Sequence, residues 1–364
     1  MKFIYSKWDD RLYARLKHLT DLMAMYNYLL LRMNGNVEET LKLLRRLQRQ
    51  GYINAQYDLD EFEEMLRKSN LVKGTRGGLQ LSAKGERQLR RDSFEAVFEK
   101  MRASGKGDHR LPHEGGASEE PLPEKRAFRF GDSPRNIDFT SSLFNSVKRT
   151  SDFSLAMSEN DLEVYETERT SSCATVLLID ISHSMILYGE DRITPAKQVA
   201  MAFTELILTK YAKDHLSIVT FGDTAEEVQI KDLPYLTVGP YHTNTQAGLR
   251  KARQILLARK HVNKQIFMVT DGKPSMITRP SGEIYRNPVG LDPRIVNRTL
   301  DEAVICRKKK IPITTFMVTD DPYLQQFVAR LTELNRGRAY FSSVDNLGSF
   351  VLWDFVTHRK RNSN

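Results

Sequence analysis

Apolar side chains recur at helical spacing through residues 9–34, at Leu12, Leu16, Leu19, Met23, Tyr26 and Leu30, so this stretch predicts an amphipathic helix. A second helix is expected from Val37, where Asn36 can cap the N-terminus with Glu39 three residues on, and Gly51 closes it. A third spans Leu59 to Lys68. Leu71 to Ser82 reads as a short hairpin, after which Ser82 starts a basic helix reaching about Ala103.

The order of these elements resembles a winged helix, and residues 1–103 are expected to form a small helical domain. From Ser104 to Ser133 the composition turns to Gly, Pro, Glu and Lys with little apolar content, so residues 104–160 read as a linker and connecting segment. The alternation Leu162-Glu163-Val164-Tyr165 predicts a strand entering a second domain over residues 161–364. There, Ala174 to Ile179, Leu216 to Phe221, Gln265 to Thr270 and Ile311 to Val318 are near-continuous apolar runs, as in strands covered on both faces. Val228 to Ile230 suggests an edge strand and Ala339 to Phe341 a last one. Helices are expected after Thr194-Pro195, near Thr245, at Asp292-Pro293 and at Asp321-Pro322. This alternation predicts an α/β fold with a doubly wound, mostly parallel sheet.

A chain of 364 residues has room for about two domains of ~150 residues each. With 40% hydrophobic and 28% charged residues, wholesale disorder and fibrous classes are excluded. The charge, 55 Lys and Arg against 46 Asp and Glu, permits nucleic-acid or acidic partners without requiring them. Cys173 and Cys306 form no CxxC pair, which excludes a disulfide framework or a four-thiolate zinc site and fits a reducing compartment. Met1 to Asp10 runs into charge before a signal-peptide core, and no window approaches ~18 apolar residues, so a cytoplasmic protein without a membrane segment is expected.

Ligands of open α/β sheets sit beyond the carboxyl ends of the strands. Directly after the run Val176 to Ile179 come Asp180, Ser182 and Ser184, a carboxylate and two hydroxyls in one tight loop. Thr243 precedes the helix near Thr245, and Asp271 follows the strand ending at Thr270. Oxygen donors without His or thiolate select a hard cation, Mg²⁺ above Mn²⁺ or Ca²⁺. Five protein oxygens at most leave room for an outside Asp or Glu.

At these residues the sequence resembles the von Willebrand factor A family, also called integrin I-like domains, over roughly residues 160 to 360. The family's metal-ion-dependent adhesion site pairs an Asp-x-Ser-x-Ser loop with a Thr and a later Asp. The resemblance therefore implies Asp180, Ser182, Ser184, Thr243 and Asp271 as metal ligands, with Thr243 preferred over Thr245. Asp-Ile-Ser-His-Ser-Met, Thr-Asn-Thr and Thr-Asp-Gly-Lys-Pro look most like the bacterial cytoplasmic branch related to the D subunit of magnesium chelatase and to partners of MoxR-type AAA+ ATPases. That implies a non-enzymatic accessory protein, one whose metal holds an acidic residue of a partner while a ring ATPase supplies the work of complex remodelling or metal insertion.

Two other readings compete. No GxxxxGK[ST], GxSxG or HExxH motif is present, yet Mg²⁺ with His183 or His242 as base would give a phosphate-handling enzyme. Arg76, Lys84, Arg87, Arg90 and Arg91 would suit a nucleic-acid-linked regulator, although a solvated basic helix face is the simpler account of them. Residues 275–293 form a long insertion after Asp271, and Arg279, Tyr285 and Arg286 are expected on a partner-recognition rim.

Overall fold

The computed structural model describes residues 22–75, 78–103, 119–128, 137–150, 157–169, 172–189, 191–239, 241–279, 281–287, 289–318, 321–341 and 347–359. Expectations for Leu12, Leu16, Leu19 and Arg76 lie outside them. The described residues fall into two compact units, those within Met1–Asp108, Ala174–Lys260 and Lys264–Trp353, and those within His109–Cys173, His261–Asn263 and Asp354–Asn364.

The N-terminal elements follow their local signals. Helix α1 covers Leu22–Arg32 and α2 covers Val37–Arg49, where Asn36 Oδ1 accepts the Glu39 N–H and Gly51 takes the left-handed conformation past the end. Helix α3 is Leu59–Lys68, capped by Asp58; strands β1 (Val72–Thr75) and β2 (Gly78–Leu81) pair antiparallel; Ser82 Oγ accepts the Gly85 N–H to start α4, Ala83–Ala103.

The second unit contains structure where the composition suggested a linker. Strand β3, Glu119–Ala127, pairs antiparallel with β4, Glu163–Arg169, and helix α5, Phe139–Thr150, lies between them in the chain. Two prolines and five charged residues hide β3 from a periodicity reading. A two-stranded ribbon tolerates them, and the register shifts between Pro121 and Lys125. The strand expected around Leu162 to Tyr165 therefore pairs with β3.

The larger unit is built on a six-stranded sheet. In chain order it contains β5 (Cys173–Asp180), α6 (Ile193–Lys210), β6 (His215–Phe221), β7 (Ala225–Val228), α7 (Thr245–Leu257) and β8 (Asn263–Thr270). A hairpin of β9 (Met276–Thr278) and β10 (Ile284–Arg286) follows. After it come α8 (Pro293–Lys308), β11 (Ile313–Met317), α9 (Pro322–Asn335), β12 (Arg338–Phe341) and α10 (Leu347–Arg359). The strand order is β12-β11-β8-β5-β6-β7, parallel except for β7, which gives the doubly wound arrangement expected. The edge strand starts earlier than Val228, because a tight turn closed by Gly222 N–H to Thr224 O folds the chain straight back along β6.

Every residue of β5 is buried, as expected of a central strand covered on both faces. One face packs Val176, Leu178, Val219, Ile266 and Met268 against α7, α8 and α9. On the other, Phe203 of α6 stacks on Phe267, which meets Phe316 edge-on.

Within this unit α6 is also gripped by the N-terminal helices. Lys197, fully buried, donates from Nζ to Leu31 O at 3.0 Å and to Asn34 Oδ1 at 2.7 Å. Burial pushes its ammonium down to about 8, against the opposing pull of Asp191. Arg32 Nη1 lies 3.8 Å from Asp191 Oδ2, and Arg90 Nε lies 3.5 Å from Glu205 Oε2. Among the described residues no helix is long and apolar enough to cross a membrane.

Candidate metal centre

At the carboxyl end of β5 the chain leaves the sheet through Asp180, Ile181 and Ser182 into a 3₁₀ turn, His183–Gly189. Asp180 Oδ1 accepts the Ser182 N–H at 2.9 Å, folding the loop back on its first carboxylate. That turn brings Ser182 Oγ within 2.9 Å of Ser184 Oγ. Asp180 and Ser182 are fully buried, and Ser184 is half-buried.

Asp271 arrives from the adjacent strand β8. Burial, and after it the charge of Asp271, raise the Asp180 carboxyl well above the usual carboxylate range. Thr270 Oγ1 moderates this by donating to Asp180 Oδ2 at 2.7 Å while accepting the Gly272 N–H at 3.0 Å. Asp271 Oδ1 accepts the Lys273 N–H at 3.1 Å, and its Oδ2 lies 4.0 Å from Arg192 Nη1.

Thr243 comes in on a third loop. Gly239 N–H donates to Ile181 O and Asn244 N–H to Gly222 O, so this loop is hydrogen-bonded to the segments leaving β5 and β6. Thr243 N–H donates to Ser275 Oγ at 2.9 Å, and Thr243 O accepts from the N–H groups of Ser275 and Met276. The insertion expected as a recognition rim is thus the β9–β10 hairpin, and its root holds Thr243. Asn244 Nδ2 adds a bond to Thr278 Oγ1.

Of the five residues singled out from sequence, Asp180, Ser182 and Ser184 are joined directly by hydrogen bonds. Asp271 joins them through Thr270 and its charge. Thr243 is held through its main chain, and among the described residues its hydroxyl hydrogen-bonds to none of the other four. Thr270, Ser275 and Arg192 were not picked out, although Thr270 and Ser275 stand in the Thr-Asp-Gly-Lys-Pro-Ser run that carried Asp271.

These residues suit a small hard cation. An octahedron with ~2.1 Å metal–oxygen bonds has edges of ~3.0 Å, and Ser182 Oγ and Ser184 Oγ are spaced like one such edge. Two adjacent buried carboxylates also favour a counter-charge. Among the described residues no three His, Cys, Asp or Glu side chains gather into a metal cluster.

The rim is polar and aromatic. His183 packs its ring 5.1 Å from that of Tyr241, which is 79% exposed. Asp223 Oδ1 accepts the His242 N–H at 3.2 Å, and its Oδ2 lies 3.7 Å from Arg286 Nη2, linking the β6–β7 turn, the Thr243 loop and the hairpin. Arg279 and Arg294 both lie over the Tyr285 ring. Away from this rim, Lys84 Nζ donates to Ser69 O, Arg87 Nε to Ala83 O, and Arg90 is paired with Glu205, so these cations have protein partners.

A family profile described as "Rv0959-like protein, vWA domain" matches residues 173–356. The chain belongs to this family. A second profile, "Rv0959-like protein, third domain", matches residues 120–167, the segment holding β3, α5 and most of β4. The chain is 28% identical over 330 residues to the proteins named "Uncharacterized protein Rv0959" in Mycobacterium tuberculosis and "Uncharacterized protein Mb0984" in Mycobacterium bovis. The match covers 88% of this chain and 48% of each relative, so the chain spans about half the length of the curated relatives it matches. Among solved structures, the vWF domain of the pili tip protein Mfa5 from Porphyromonas gingivalis aligns at 14% identity and TM-score 0.42, covering 51% of this chain and 95% of that one. The pilus adhesin SpaC from Lactobacillus rhamnosus GG aligns at 18% and 0.40, covering 54% and 31%.

Proposed function

We propose that this Rv0959-like chain is a divalent-cation-dependent protein-recognition module that holds an acidic side chain of a partner. The observation that carries the reading is the folded Asp180-Ser182-Ser184 loop, whose two hydroxyl oxygens lie 2.9 Å apart beside two buried carboxylates. Asp180, Ser182 and Ser184 would hold Mg²⁺ or Mn²⁺, with Asp271 and Thr243 on the adjoining loops. When bound, the ion supplies a positive charge able to take an additional oxygen ligand from outside.

The chain's own residues do the rest. Thr270 fixes the Asp180 carboxylate, and the hairpin root fixes the Thr243 backbone, so the oxygens are held in place before a partner arrives. Tyr241, His183 and Arg286 on the rim offer aromatic and cationic contacts to an acidic partner.

We further propose a ring ATPase of the MoxR or magnesium-chelatase type, or its client, as the partner. The motifs Asp-Ile-Ser-His-Ser-Met and Thr-Asp-Gly-Lys-Pro support this. Affinity purification of the full chain in Mg²⁺ and then in EDTA tests it. An ATPase retained in Mg²⁺, released by EDTA and not captured by Asp180→Ala supports the reading. Partners indifferent to EDTA, phosphate-ester turnover by the chain alone, or co-eluting nucleic acid contradict it.

A further inference from the structure

Arg192 lies beside the proposed cation site. It stands at the start of α6 and is 8% exposed, with Nη1 4.0 Å from Asp271 Oδ2. The two side chains are 10% and 4% exposed, so little water or salt screens them from each other. A guanidinium does not give up its proton, so this is a permanent positive charge.

Its position is fixed on both sides. Arg192 N–H donates to Met185 O at 3.0 Å, at the end of the turn carrying Ser182 and Ser184. The preceding residue, Asp191, accepts the Thr194 N–H at 3.0 Å and faces Arg32. One turn further along α6, Lys197 is bound to Leu31 and Asn34. The N-terminal helices therefore hold the segment from which the guanidinium projects.

We propose that Arg192 is a built-in counter-charge of the cation site, sharing Asp271 with the bound ion and lowering the site's affinity for it. This inference rests on the cation reading above. Two carboxylates alone would neutralise a divalent ion; with Arg192 alongside, Asp271 divides its charge between the ion and the guanidinium, so the ion is neutralised less completely and favours an anionic oxygen over a neutral one. A purely structural arginine would do the opposite, because removing it would loosen Asp271 and weaken cation binding.

Calorimetric titration of Mn²⁺ into the full chain separates these roles. Arg192→Gln should bind Mn²⁺ about tenfold more tightly than the parent, given the Coulomb energy of a buried like-charge pair, and Arg192→Lys should stay close to the parent. Equal or weaker Mn²⁺ binding by Arg192→Gln overturns the inference while leaving the cation reading intact. No Mn²⁺ binding by the parent overturns both. Should Arg192→Gln fail to fold by circular dichroism, Arg192→Met carries the same expectation.

Discussion

The Thr270 hydroxyl donates a 2.7 Å hydrogen bond to Oδ2 of Asp180, joining two neighbouring strands across 90 residues of sequence. The same oxygen accepts the Gly272 N–H, so one side chain holds both the buried carboxylate and the turn that follows Asp271. Thr270→Val keeps the shape but removes both bonds, and it should cost about 1–3 kcal/mol. Urea unfolding measures this; Thr270→Ser should recover most of the loss, and a valine variant as stable as the parent would contradict the assignment.

Gly272 has φ +86°, and a Cβ there would stand 2.9 Å from Met317 Cε. Gly272→Ala should therefore lower stability by about 1–3 kcal/mol through backbone strain and crowding. Because Asp271 is the adjacent residue, Mn²⁺ affinity should fall as well. A variant with unchanged midpoint and unchanged Mn²⁺ binding would show that the turn is not constrained as described.

Ser275 Oγ accepts the Thr243 N–H at 2.9 Å. Ser275→Ala should weaken Mg²⁺ binding several-fold through a looser Thr243 loop, at a stability cost of about 1–2 kcal/mol. Paired calorimetry and denaturation check this. Unaltered affinity would separate the hairpin from the cation site.

Lys197 adds a pH dependence on the alkaline side, where stability rises with pH as it does through the acid range but in a separate window. Its ammonium is pushed down to about 8 in the folded chain, below the ordinary lysine value, so the unfolded chain holds that proton more firmly. Below pH about 8 both states are charged and the full burial cost is felt. As pH climbs from there toward ~10.4 the cost fades, and stability from this group rises by up to about 2–3 kcal/mol. Denaturation between pH 7 and 10, compared with Lys197→Met, should show this rise in the parent and not in the variant; parallel curves would contradict it.

Most of the fold was legible because its signals are local. Asn36, Asp292 and Asp321 accept N–H groups at the starts of α2, α8 and α9, and each announces itself next to an apolar periodic run. The apolar runs of β5, β6, β8 and β11 likewise mark strands covered on both faces. Strand β3 was not legible, since Glu119–Ala127 shows no alternation and its pairing with β4 depends on residues far along the chain. The Asp180-Ser182-Ser184 loop was legible as a spacing. Its neighbours Thr270, Ser275 and Arg192 were not, because nothing in a sequence states that Thr270 will face Asp180 or that Arg192 will turn toward Asp271.

The central claim is that Asp180, Ser182 and Ser184 share one cation. Crystals of the full chain grown with Mn²⁺ and measured at the manganese absorption edge test it most directly. The account predicts a single strong anomalous peak ~2.2 Å from both Ser182 Oγ and Ser184 Oγ, lost in Ser182→Ala. A Mn²⁺-saturated crystal with no peak at that loop, or with the peak unmoved by Ser182→Ala, would contradict it.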